Sequence, residues 1–228
     1  MDVKGYKVNL LGDSITEGVG VSDRENCRYD NRLTRLLGLS AVNNYGVSGT
    51  RLAHQQHPSE KPRYDLCFCG RAYNMDPTAD MVIVYGGVND YIHGDAPFGA
   101  IGDTTPATFC GGVYFLMHYL RENYKNKPIV FMTPARCFTP TADDLFVSRH
   151  PAKRPDAKPL IAYVEVIEAT AKQFEIPVLN LYTTLGIDPH DPVQRQALTA
   201  DGLHFNDAGH GIIAECLAKF ISSLASLA

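Results

Sequence analysis

Five short apolar runs punctuate the chain, at 7–11, 41–45, 81–85, 129–132 and 177–181, and polar or turn-forming residues bound each of them. Runs of that length, rich in Val, Ile, Leu and Tyr, predict buried strands. Between them the spacing turns helical. Residues 26–37 carry apolar side chains on one helical face, and Val113, Leu116, Met117 and Leu120 stand at i, i+3, i+4 and i+7. The last helix is expected to start from Asn206 or Asp207 as its cap and to bury Ile212, Ile213, Cys216, Leu217, Phe220 and Leu224. Strands that alternate with helices call for parallel pairing through helical crossovers. The pattern therefore predicts an α/β fold around a five-stranded parallel sheet.

Two connections stand out against this rhythm. Residues 86–106 are rich in Gly, Asp and Pro, and 134–159 hold Arg136, Arg149, His150, Lys153, Arg154 and Lys158. Loops of such length in a compact fold carry function or move. Both are expected to wall a substrate cleft, with a solvated surface excursion as the other reading of the second. No internal repeat or low-complexity tract breaks the chain, and its 228 residues are expected to form one domain, 1–228.

In an open parallel sheet, ligands collect outside the carboxyl ends of the strands. Four segments with chemical potential lie there. Gly12-Asp13-Ser14 follows the first predicted strand, Tyr45-Gly46-Val47-Ser48-Gly49 the second, and Gly86-Gly87-Val88-Asn89-Asp90 the third. Asp201-Gly202-Leu203-His204 sits between the fifth strand and the final helix. A serine hydroxyl becomes a useful nucleophile only when an imidazole takes its proton, and the imidazole needs a partner that fixes its tautomer. Ser14, His204 and Asp201 are the residue types for those parts, although a backbone carbonyl could orient the ring in place of Asp201. The negative oxygen of a tetrahedral intermediate needs donors already in place, each worth roughly 3 kcal/mol. The N–H groups of Ser14 and Gly49 and the amide of Asn89 could supply them. Taken alone, Gly49 is equally a positive-φ turn residue and Asn89 a loop cap.

With four such blocks in order, the chain resembles the SGNH hydrolases, the GDSL esterase and lipase family, over nearly its whole length. The resemblance implies a flavodoxin-like three-layer α/β/α sandwich. It also implies a nucleophile at Ser14, an acid and a base at Asp201 and His204, and an oxyanion hole built from Ser14, Gly49 and Asn89. The implied reaction is ester hydrolysis through an acyl-serine without cofactor or metal. Its implied substrates are short acyl, especially acetyl, esters of carbohydrates or similar small alcohols. A lysophospholipase or thioesterase of the same fold is the alternative, and a silent carbohydrate-binding protein a more distant one. Two positions depart from the pattern. Ile15 stands in place of the leucine in the family's four-letter name, and Phe205 follows His204 where proline is expected, which would alter the entrance to the last helix or set an aromatic wall beside the base.

Composition narrows the partners. A net charge of −4 gives no reason to expect nucleic acid or an anionic membrane, and a small ester substrate fits better. No segment approaches the roughly 20 apolar residues of a membrane helix, and the first residues do not read as a secretory signal, so a soluble, cytoplasmic protein is expected. The six cysteines are irregularly spaced in a chain that needs no staples, and they are expected to be free. Asp13 and Asp90 are each expected to close their own turn. His54, His57, His93, His118, His150 and His190 show no ligand spacing, and of these His93 alone is close enough in sequence to Asn89 to touch substrate. The glycines of 12–20 lack the order that phosphate loops need, which argues against nucleotide binding.

Overall fold

A computed structural model describes residues 1–138 and 158–224. Five strands, β1 (Lys7–Gly12), β2 (Ala41–Gly46), β3 (Met81–Tyr85), β4 (Ile129–Met132) and β5 (Val178–Leu179), form one sheet. All neighbours are parallel, in the order β2-β1-β3-β4-β5. That is the doubly wound, flavodoxin-like order, whose crossovers leave β1 in opposite directions. Short helices α1 (Ser14–Glu17) and α2 (Arg24–Cys27) and the longer α3 (Tyr29–Leu37) follow β1, and α4 (Phe68–Arg71) follows β2. After β3 come α5 (Val88–Ile92) and α6 (Phe109–Asn123), and after β4 comes α7 (Leu160–Gln173). The chain ends with α8 (Leu181–Thr184), α9 (Pro192–Leu198) and α10 (Asp207–Ser223) behind β5.

Alternation along the strands creates the layers, because successive side chains leave a strand on opposite faces. Val8 and Leu10, Met81, Ile83 and Tyr85, and Val130 and Met132 pack with Leu33 of α3 and with Ile213, Leu217 and Ile221 of α10. Leu11, Val82, Val84, Ile129 and Phe131 turn the other way, onto Val113, Leu116, Met117 and Leu120 of α6 and Tyr163 and Ile167 of α7. The result is a three-layer α/β/α sandwich with an apolar core on each side of the sheet.

Three predicted elements change form. The helix expected over 26–37 is two helices. Asp23 caps the first by accepting from Glu25 N and Asn26 N, and Arg28 is then extended at φ −64° and ψ 140°. The Tyr29 N–H that a continuous helix would have used internally donates instead to His210 Nδ1 at 3.2 Å. β5 is shorter than the run at 177–181, because the Asn180 side chain accepts from Thr183 N and starts α8. The connection 86–106 begins not as loop but as α5, entered through Gly87 at φ 108°.

Of the second long connection, Arg149, His150, Lys153 and Arg154 lie outside the described residues. Its start does approach the strand ends, where Phe138 N donates to Gly202 O at 2.9 Å. Arg136 turns away to Tyr182, donating to its carbonyl at 3.2 Å and covering its ring. All six cysteines are free. No helix among the described residues is long and apolar enough to cross a membrane.

Candidate active site

Ser14 is the first residue of α1, directly beyond the carboxyl end of the central strand β1. Asp13 caps that helix by accepting from Ile15 N at 3.0 Å, which leaves the Ser14 N–H among the unpaired donors of a first helical turn. The serine is 5% exposed. Its Oγ lies 2.9 Å from His204 Nε2, across 190 residues of sequence.

The other partner of the His204 ring is local. Asp201 Oδ1 accepts from the N–H groups of Leu203 and His204 at 3.0 and 2.7 Å, and its Oδ2 meets His204 Nδ1 at 2.7 Å. One tight turn thereby fixes the carboxylate and the ring together. With Nδ1–H donated to Asp201, Nε2 presents its lone pair to the serine hydroxyl. Partial burial works to raise Asp201, but the bonds from the His204 ring, His204 N and Leu203 N outweigh it and hold the carboxyl down at about 2. The His204 side chain is 17% exposed and that of Asp201 53%, so the ring is shielded while the carboxylate meets solvent.

Gly49 and Asn89 come from the ends of β2 and β3. Gly49 has φ +75°, and a Cβ there would lie 2.5 Å from the Tyr64 ring, so only glycine fits. Ser48, just before it, donates from its N–H to Glu17 of α1 at 2.6 Å and also from its hydroxyl, and Arg63 donates to the same carboxylate at 3.0 Å. A Cβ on Gly46 would come within 2.3 Å of Glu17 N, which measures how closely this loop approaches the helix that bears Ser14. Asn89 is buried in α5, and its Nδ2 has no hydrogen-bond partner among the described residues. A buried amide donor left unpaired costs about 1–3 kcal/mol, which makes Asn89 Nδ2 a donor that lacks its acceptor.

A family model for GDSL-like lipases and acylhydrolases matches residues 10–212. The chain belongs to the GDSL-like lipase/acylhydrolase family. Membership makes it an SGNH-type esterase, an enzyme that cleaves acyl esters. The solved structures agree in fold. A protein from Lactobacillus plantarum is 28% identical, with a TM-score of 0.82 over 98% of this chain and 99% of that one. An acetyl xylan esterase is 19% identical at TM-score 0.61, covering 96% of this chain and all of its own. The native M. smegmatis aryl esterase, also 19% identical, reaches 0.66 with the same coverage. No curated protein matches.

Around this esterase's four blocks stand residues that the sequence did not reveal. Asp90 does not close its own turn. Its two oxygens accept from Leu52 N and Ala53 N at 2.9 and 3.1 Å, joining α5 to the segment beyond Gly49. Burial raises Asp90 to about 6 against those two bonds and Arg51. Asp13 is likewise raised to about 6 by burial, against its bond to Ile15 N and the charges of His204 and Arg71. Arg51 donates to the carbonyls of Tyr64 and His93 at 3.1 and 3.3 Å. Phe205 is no wall of the cleft, because its ring is 1% exposed and lies in the core shared by β1, β3 and α10. His210 is fully buried, stacked on Tyr29, and pushed down to about 4 by burial.

Proposed function

We propose that Ser14, His204 and Asp201 are the nucleophile, general base and orienting acid of ester hydrolysis, and that Ser14 N, Gly49 N and Asn89 Nδ2 form the oxyanion hole. The observations that carry the reading are the unbroken series Asp201–His204–Ser14 at 2.7 and 2.9 Å and the buried Asn89 amide, which is unpaired among the described residues. Ser14 Oγ attacks the ester carbonyl carbon as its proton passes to His204 Nε2. The three donors hold the oxygen that becomes negative. Collapse breaks the bond to the alcohol oxygen, which takes the proton from His204 and leaves an acyl-Ser14. Water then repeats the attack with the same base, releasing the carboxylic acid and restoring the serine. The depressed Asp201 stays ionised throughout and stabilises the transient imidazolium.

The substrates we infer are short acyl, chiefly acetyl, esters of carbohydrates or similar small alcohols. A lysophospholipase would need a long apolar groove, and among the described residues the large exposed apolar side chains are Leu36, Leu66, Tyr73, Ile101 and Val193. The names of the acetyl xylan esterase and aryl esterase neighbours point the same way. One domain spanning 1–228 fits the single sheet, and six free thiols fit a reducing, cytoplasmic setting.

Hydrolysis of p-nitrophenyl acetate by the native chain and by Ser14→Ala tests the chemistry. Turnover should vanish in the variant, and equal rates would remove Ser14 from its role. Acetate, butyrate and octanoate esters compared on the native enzyme should fall in that order. A rise toward octanoate would replace the short-chain reading with the lipid one.

A further inference from the structure

Arg71 closes α4, well away from all four sequence blocks, yet its guanidinium reaches the ends of both strands that carry the nucleophile and the oxyanion glycine. Nη2 donates to Gly12 O at 3.0 Å, two residues before Ser14, and to Thr50 Oγ1 at 2.8 Å, one residue after Gly49. Nη1 donates to Tyr45 O at the end of β2, and Nε to Leu66 O at 2.8 Å, beyond the turn that lays Tyr64 over Gly49. The Phe68 ring backs the guanidinium plane, its centroid 4.7 Å from the central carbon. Gly12 O also accepts from Val47 N at 3.1 Å, so one carbonyl joins the nucleophile's strand to the glycine's loop and is held by the cation. A planar fork with five donors can bind four acceptors in fixed directions, whereas a lysine cannot.

We infer that Arg71 is a positioning residue for acyl transfer, setting the distance between the Ser14 hydroxyl and the Gly49 N–H by bonding both strand ends at once. It acts through the backbone it bonds and not by touching the reacting atoms. Its effect is geometric, since oxyanion donors act on an oxygen whose place is fixed by the bond to Ser14, and a shift of about 1 Å between the two can cost about 10²-fold in rate. Burial lowers Arg71 to about 10 while Asp13 holds it up, so it remains a cation at neutral pH. The inference rests on the catalytic reading of Ser14 and Gly49 given above.

Arg71 lines a cavity of about 600 Å³, which gives small molecules a route to its place. The test measures kcat and KM for p-nitrophenyl acetate in Arg71→Lys and Arg71→Ala, alongside Ser14→Ala, with far-ultraviolet circular dichroism to establish folding. Arg71→Lys is expected to lose about 10- to 100-fold in kcat with KM within about threefold of native. In folded Arg71→Ala, guanidinium at concentrations far below those that unfold proteins is expected to restore part of kcat, and ammonium is not. A folded Arg71→Lys with native kcat overturns the inference, as does a loss that guanidinium leaves untouched. If Arg71→Ala does not fold, the kcat and KM of Arg71→Lys decide alone. Full activity in Ser14→Ala would instead overturn the catalytic reading itself.

Discussion

The two halves of the site are built by opposite means. On one side, Asp201 and His204 sit three residues apart in a turn that Asp201 ties to its own backbone, and the carboxylate faces solvent. On the other side, Gly49 and Asn89 are held by contacts that span the fold, from Asp90 to Leu52 and Ala53, from Ser48 to Glu17, and from Arg51 to His93. The proposed acid–base pair is thus preorganised by local chain geometry, while the proposed oxyanion donors are preorganised by tertiary packing. The difference teaches where damage should appear. Changes in the turn should alter chemistry and leave stability alone, whereas changes under the donors should alter both.

The sharpest break is at the junction of the halves. His204→Ala is expected to lower kcat for p-nitrophenyl acetate by at least about 10⁴-fold, as serine triads act as units. Asp201→Asn, which keeps the turn but can favour the wrong tautomer, should cost about 10⁴-fold at most, and less if water reaches the half-exposed position. Its stability in urea should fall by no more than about 1 kcal/mol, since solvent screens the half-exposed carboxylate. Asn89→Ala should lower kcat by about 10²- to 10³-fold with little change in KM, measured on the same ester. Asp90→Asn is expected to destabilise the fold by about 1–3 kcal/mol in urea titration, because one of two buried N–H groups loses its acceptor. An unchanged midpoint there would erase the contrast between the halves.

The smallest effect is a pH slope. His210, lowered to about 4 when folded, leaves its proton to the unfolded chain between about 6.5 and 4, so its share of stability falls as pH falls through that window. Asp13 and Asp90, raised to about 6, bind protons in the folded state first, so their share grows as pH falls from about 6 to 4. The two trends oppose. Replacing His210 with Gln should remove the acid-labile one, and the unfolding free energy of the variant relative to native, from urea titration, should rise on acidification by at most about 1.4 kcal/mol per pH unit.

What could be read from the chain follows the same division. β3 and β4 are bounded by the residues their apolar runs define, and the capping of α10 by Asn206 is a local hydrogen bond. The adjacency of Asp201 to His204 is local too. Asp90 misleads because its acceptor duty lies 37 and 38 residues away, and nothing in Asn89-Asp90 distinguishes that from a turn. Arg71 bonds carbonyl oxygens, which every residue possesses, so no motif announces it. His210 falls on the buried face of α10, where its place against Tyr29 depends on a partner 181 residues away. Arg28 breaks its helix for the same reason.

The 190-residue span between Ser14 and His204 has a consequence for biosynthesis. A chain released before residue 204 is translated can complete all five strands and still present a serine with no base. If Ser14 and His204 act as proposed, hydrolysis begins only once the Asp201–His204 turn has reached Ser14, so chains that stop short of it should be inert, and the appearance of turnover during translation reports that contact.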